Sequence, residues 1–144
     1  MGSDGADATM PLGARLRSGG HGQGRQVLVV DDEPNICEAI RFILRRDGWG
    51  VSVLADGAQV LASLDSLRPD LIILDVMLPR VSGFEVLRAI RAHPQHGALP
   101  VILLTARGQA AARELARDSG ASLFMAKPFA NADLLAAARQ LVGA

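Results

Sequence analysis

Three runs of four residues, Val27–Val30, Leu71–Leu74 and Val101–Leu104, are apolar at every position. A strand with one wet face alternates apolar and polar residues, whereas an unbroken apolar run reads as a strand covered on both faces. Strand-like stretches lie near 27–31, 51–54, 71–75, 101–104 and 122–126. The intervening segments change period. Ile36, Ile40, Ile43 and Leu44 form one face of a helix near 34–46, with Pro34 suited to its first turn and Gly48 marking its stop. Val60, Leu61 and Leu64 stripe a second helix near 57–67, and Val86, Leu87 and Ile90 a third near 83–92. A fourth, near 108–118, is Ala-rich and weakly amphipathic; a fifth, near 131–142, carries Leu134, Leu135, Ala138 and Leu141, with Asn131 as a candidate cap. Five strands alternating with five helices predict an α/β fold, a doubly wound parallel sheet with right-handed crossovers. Ligands on such sheets bind at the carboxyl ends of the strands.

The 144 residues suit one domain, with residues 1–25 as a Gly-, Ala- and Arg-rich flexible tail and 26–144 as the folded unit. No apolar core follows the initial Met, so the tail does not read as a secretory signal. Equal numbers of acidic and basic residues give no charge excess for nucleic acid or an anionic membrane, and no apolar run approaches a membrane span. Cys37 is the single cysteine, which excludes an internal disulfide and fits a reducing, cytoplasmic setting; in helical register it reads as a packing residue.

The carboxyl ends of the strands carry unusual chemistry. The first ends at the tandem pair Asp31-Asp32, the third at Asp75, the fourth at Thr105, and the last delivers Lys127. Singly, each has a plain reading: a strand-end Asp caps a turn, Thr is ordinary strand composition and Lys is solvated. Their convergence on the one edge where this fold binds ligands is poorly explained that way. Neighbouring carboxylates repel and resist ionising together, so a cation is the natural relief, although the pair alone does not prove one. Three carboxylates offer hard oxygen ligands suited to Mg²⁺. Carboxylates also serve as nucleophiles that form aspartyl phosphates. On this reading the pair seats the metal and Asp75 receives a phosphoryl group, whose oxygens face the cation, Lys127 and the Thr105 hydroxyl.

The stretches "VLVVDDEP", "DLIILDVMLPRVSGFEVL", "PVILLTA" and "GASLFMAKPF" together resemble the receiver domain of bacterial two-component response regulators, over about residues 26–142. The resemblance implies a flavodoxin-like strand order, 2-1-3-4-5. It implies Asp75 as phosphoacceptor; Asp32, Asp75 and the Met77 backbone carbonyl as direct Mg²⁺ ligands; and Asp31 acting mainly through a metal-bound water. Thr105 matches the switch hydroxyl, Lys127 the phosphoryl-binding ammonium and Phe124 the switch aromatic. Lys127-Pro128 matches a peptide bond that is usually cis in the family. Met77 and Arg107, two residues after Asp75 and Thr105, match positions that tune the lifetime of the phosphoryl group. The implied partners are a sensor histidine kinase or phosphotransfer protein upstream, and downstream a protein target on the face of the fourth helix, fifth strand and fifth helix. Neither nucleic acid nor membrane is expected as a direct partner. The function implied is a phosphorylation-dependent switch, not a metabolic enzyme.

Pro79 and Gly83 shape the turn after Asp75, Phe84 and Trp49 read as packing residues, and His93 and His96 have no cysteine or carboxylate in their spacing to complete a metal site. Two features depart from the family pattern: "GASLF" lacks the acidic residues common there, and the fourth helix is unusually Ala-rich. Three other classes fit less well. Aspartyl-phosphate phosphatases of the haloacid dehalogenase type carry their nucleophile after the first strand, in an Asp-x-Asp motif. Phosphorylation-independent modules on this fold usually lose one of the five groups, and all five are present. A dinucleotide binder would need a Gly-rich fingerprint after the first strand.

Overall fold

The computed structural model describes residues 24–106 and 120–143. Five strands, β1 (Gln26–Val30), β2 (Gly50–Leu54), β3 (Leu71–Asp75), β4 (Val101–Ala106) and β5 (Leu123–Lys127), form one parallel sheet in the order β2-β1-β3-β4-β5. The described helices are α1 (Pro34–Arg46), α2 (Val60–Leu67), α3 (Gly83–Ala92) and α4 (Asn131–Val142). The helix expected near 108–118, Arg107 and nearly all of the expected N-terminal tail lie outside the described residues.

The unbroken apolar runs have the predicted cause. Successive side chains of β1, β3 and β4 point to opposite faces, and both faces are roofed. Val27, Val29, Ile73, Ile102 and Leu104 join Ile40, Leu44, Leu134 and Ala138 from α1 and α4. Leu28, Val30, Ile72, Leu74 and Leu103 join Leu64, Val86, Leu87 and Ile90 from α2 and α3. Cys37 and Trp49 are buried in the first of these clusters, as packing residues. No described helix is long and apolar enough to cross a membrane.

Some boundaries differ from the sequence reading. β1 starts and ends one residue earlier, which leaves Asp31 just past the strand; β5 runs one residue later, which takes Lys127 into it. The segment expected to open the second helix is a short 3-10 turn, Gly57–Gln59, with Asp56 accepting from the Ala58 N–H. Asn131 does not cap its helix. Ala130 holds the extended cap position without a side-chain bond, and Asn131 is already the first helical residue.

Candidate functional site at the carboxyl edge of the sheet

The register of the three central strands builds the site. Val30 of β1 pairs with Leu74 of β3, so Asp31 and Asp75 each follow that pair on neighbouring strands. Asp75 in turn pairs with Leu104 of β4, which sets Thr105 one step further along. Thr105 pairs with Ala126, and Lys127 is the last residue of β5. Carboxylate oxygens of Asp31, Asp32 and Asp75 all lie within 4.8 Å of one another. Asp31 and Asp75 are almost wholly buried, as is Thr105, while Asp32 faces solvent.

Backbone donors hold two of these carboxylates. Asp31 Oδ1 accepts the Glu33 N–H at 2.9 Å, and Asp75 Oδ1 accepts the Met77 N–H at 3.2 Å. The Cys37 thiol donates to the Asp31 carbonyl at 3.3 Å, tying the first turn of α1 to the same loop. The loop after Asp75 folds back tightly, with the Gly83 N–H on the Val76 carbonyl at 2.9 Å. A Cβ at Gly83 would lie 2.3 Å from the Asp75 carbonyl oxygen, so close approach of backbone to backbone makes glycine necessary there. Lys127 Nζ reaches Asp31 Oδ2 at 3.2 Å and Asp75 Oδ2 at 3.3 Å. The Lys127–Pro128 peptide bond is cis.

The electrostatics follow. Burial pushes the Asp75 carboxyl up to about 6, and the Asp31 charge adds to the rise; Lys127 and the Met77 N–H pull the other way. Burial lowers the Lys127 ammonium, but its bond to Glu33 and the charges of Asp75 and Asp31 outweigh this and hold it above the ordinary lysine range. One ammonium among three carboxylates leaves the cluster short of positive charge. Hard oxygen donors in that state suit a small divalent cation, and the residues present fit Mg²⁺.

The family model for the response regulator receiver domain matches residues 27–139. The chain belongs to this family. Receivers are the phosphorylation-dependent switches of two-component signalling and work between histidine kinases and downstream effectors. This receiver is 38% identical over 115 residues to the DNA-binding response regulator MtrA of Mycolicibacterium smegmatis, covering 80% of this chain and 49% of the relative. It is 39% identical over 117 residues to the transcriptional regulatory protein TrcR of Mycobacterium tuberculosis, covering 81% of this chain and 45% of the relative. The chain thus spans about half the length of these curated relatives. Among solved structures, the receiver domain of the sensor histidine kinase PA1611 from Pseudomonas aeruginosa superposes with a TM-score of 0.77 at 34% identity, over 84% of this chain and 99% of that one. That structure has a magnesium ion coordinated in its active-site cleft. The chemotaxis response regulator CheY4 of Vibrio cholerae superposes with a TM-score of 0.75 at 32% identity, over 81% and 98% of the two chains.

Around this receiver's carboxyl edge, Phe124 is half-buried in β5 and packs with the α2–α3 side of the core. Met77 is 62% exposed at the rim. Two groups escaped the sequence reading. Glu33 makes the shortest bond to Lys127, 2.8 Å from Oε1 to Nζ. Arg80, in the loop after Asp75, has φ 66 and pairs with Asp56 across the rim. The local pattern "DDEP" announces a carboxylate at 33 but not its partner, since Lys127 lies 94 residues away. His93 and His96 meet with ring centroids 4.6 Å apart and ring planes tilted by 52°, and His96 bonds Asp65 of α2 at 2.9 Å, a carboxylate the spacing alone did not reveal. Among the described residues, Asp31, Asp32 and Asp75 form the one acidic or His/Cys cluster with metal-binding geometry.

Proposed function

We propose that Asp75 accepts a phosphoryl group from the phosphohistidine of a sensor histidine kinase or phosphotransfer protein in the cytoplasm. The observation that carries this reading is the meeting of three carboxylates with the Lys127 ammonium at the ligand-binding edge of the sheet. Asp32, Asp75 and the Met77 carbonyl would hold Mg²⁺ directly, with Asp31 behind a metal-bound water. Bound there, the ion supplies positive charge to a phosphoryl oxygen. A carboxylate oxygen of Asp75 attacks the phosphorus in line; the O–P bond forms as the P–N bond breaks, and the electron pair leaves with the imidazole, which takes up a proton. Lys127 turns its N–H groups to one phosphoryl oxygen and the Thr105 hydroxyl donates to another. Phe124 follows Thr105 inward, and the population shifts between two packings of the same fold. The receiver promotes this transfer and a slower hydrolysis, in which Met77 and Arg107 govern the approach of water.

The altered face passes the signal to a downstream protein through the segment near 108–118, β5 and α4. The direct partners on this reading are proteins, and the equal numbers of acidic and basic residues supply no charge excess for nucleic acid.

Incubation with acetyl phosphate and Mg²⁺ tests the assignment. Mass spectrometry is expected to show one added phosphoryl group, acid-stable and hydroxylamine-labile. It should be absent in Asp75→Ala, and Asp32→Ala should lose Mg²⁺ binding and labelling together. A label that persists in Asp75→Ala, or unchanged Mg²⁺ affinity in Asp32→Ala, overturns the reading.

A further inference from the structure

Glu33 occupies the cap position of α1, yet its side chain makes no cap bond. Its backbone is pinned: the N–H is held by Asp31 Oδ1, and the carbonyl accepts the N–H groups of Ile36 and Cys37, both at 3.1 Å. The carboxylate is directed instead to Lys127. At 2.8 Å it is nearer the ammonium than Asp31 at 3.2 Å or Asp75 at 3.3 Å. The Glu33 side chain is 59% exposed, whereas those of Asp31 and Asp75 are almost fully enclosed. A solvated carboxylate thus holds the closest bond to the cation that two desolvated ones also need.

An ammonium and a divalent ion on the same carboxylates compete for the same lone pairs and repel each other. We infer that Glu33 is a positioning residue that shares the Lys127 ammonium with Asp31 and Asp75 and biases it toward the rim, leaving those two less engaged for a metal ion, and that must release it when a phosphoryl group arrives on Asp75. This rests on the phosphoacceptor reading above. It gives Glu33 opposite effects on the two ligands. Glu33 aids the cation by parking a competing charge, and it opposes the anion by retaining the ammonium that would bind a phosphoryl oxygen.

Glu33→Gln keeps the shape and removes the charge. Calorimetric titration with Mg²⁺ is expected to show affinity about two- to five-fold weaker, the size of a partly exposed ion pair. Titration with beryllofluoride, an inert phosphoryl mimic, at saturating Mg²⁺ is expected to show tighter binding by a similar factor. A bare loss of negative charge would produce the same signs through space, so the comparison is repeated in a Lys127→Met background. There the effect of Glu33→Gln on Mg²⁺ affinity should nearly vanish, because no ammonium is left to park. An equal effect in both backgrounds, a shift of both ligands in the same direction, or no shift at all overturns the inference. Failure of the parent protein to bind Mg²⁺ is a different result and overturns the phosphoacceptor reading as well. Thermal unfolding in metal-free buffer confirms that each variant is folded.

Discussion

Asp47 and Asp75 are both carboxylates at an end of the sheet, 5% and 2% exposed, but they sit at opposite ends and are treated in opposite ways. Asp47, just after α1 and before β2, is fully engaged. Arg139 of α4 grips it with two bonds, Nη2 to Oδ1 at 2.7 Å and Nε to Oδ2 at 3.2 Å, and the Trp49 indole N–H adds a third at 3.2 Å. Asp75 has one backbone N–H and a shared ammonium, with Asp31 beside it. Arg91 extends the contrast at the Asp47 end. Its guanidinium donates to the carbonyls of Gly120, Gly97 and Leu99 at 2.8, 3.1 and 2.7 Å, tying the C-terminus of α3 to the segments that enter β4 and β5. The amino edge therefore uses buried charge to close the fold. The carboxyl edge leaves buried charge partly uncompensated, and uncompensated charge is what a ligand can bind.

The same isosteric substitution at the two ends should then change stability with opposite sign. Asp47→Asn gives the larger effect: it weakens the charge-assisted bonds to Arg139, read as a lower urea midpoint. An unchanged midpoint would show that the Arg139 grip holds nothing. Asp75→Asn is expected to stabilise the metal-free protein at pH 7 by about 1–2 kcal/mol. A tenfold change in proton affinity on folding is worth roughly 1.4 kcal/mol, and solvent screening at the edge of the sheet reduces the total. The sign follows from the raised pKa. Between about pH 4 and pH 6 the folded state keeps a proton on Asp75 that the unfolded chain has lost, so stability falls as pH rises through this window and levels off above it. The gap between variant and parent should accordingly close as the pH is lowered from 7 to 4. A gap of the same size at both pH values would remove Asp75 burial as its cause.

The smallest effect belongs to the rim. Arg80→Gly relieves a left-handed backbone but gives up the pair with Asp56, and Arg80 is 68% exposed. Surface pairs and backbone relief are each worth about 0.5–1 kcal/mol, so the two should nearly cancel in a urea melt. A loss well above that range would show that the clasp carries the loop.

Much of this molecule is legible in its chain alone. Runs such as Val27–Val30 have only one good solution, a strand roofed on both faces, because solvent on either side would leave bare apolar surface. Helical stripes then supply the roof, and parallel strands collect Asp31, Asp32, Asp75, Thr105 and Lys127 at one edge by topology alone. Boundaries were less legible. Nothing local says that Asn131 enters the helix while Ala130 takes the cap position, because the direction in which the chain leaves β5 and meets the packed α4 fixes that choice.

What the sequence determined by itself was periodic or positional: the fold class, and the charged and hydroxyl groups that the strand ends carry to one edge. What the tertiary structure decided was which charge meets which. Glu33 with Lys127, Asp47 with Arg139 and Asp65 with His96 are separated by 94, 92 and 31 residues. A side-chain pair has no period and leaves no trace in local composition. Its existence depends on distances of a few tenths of an ångström, and these are set only when the strands are in register and the helices packed.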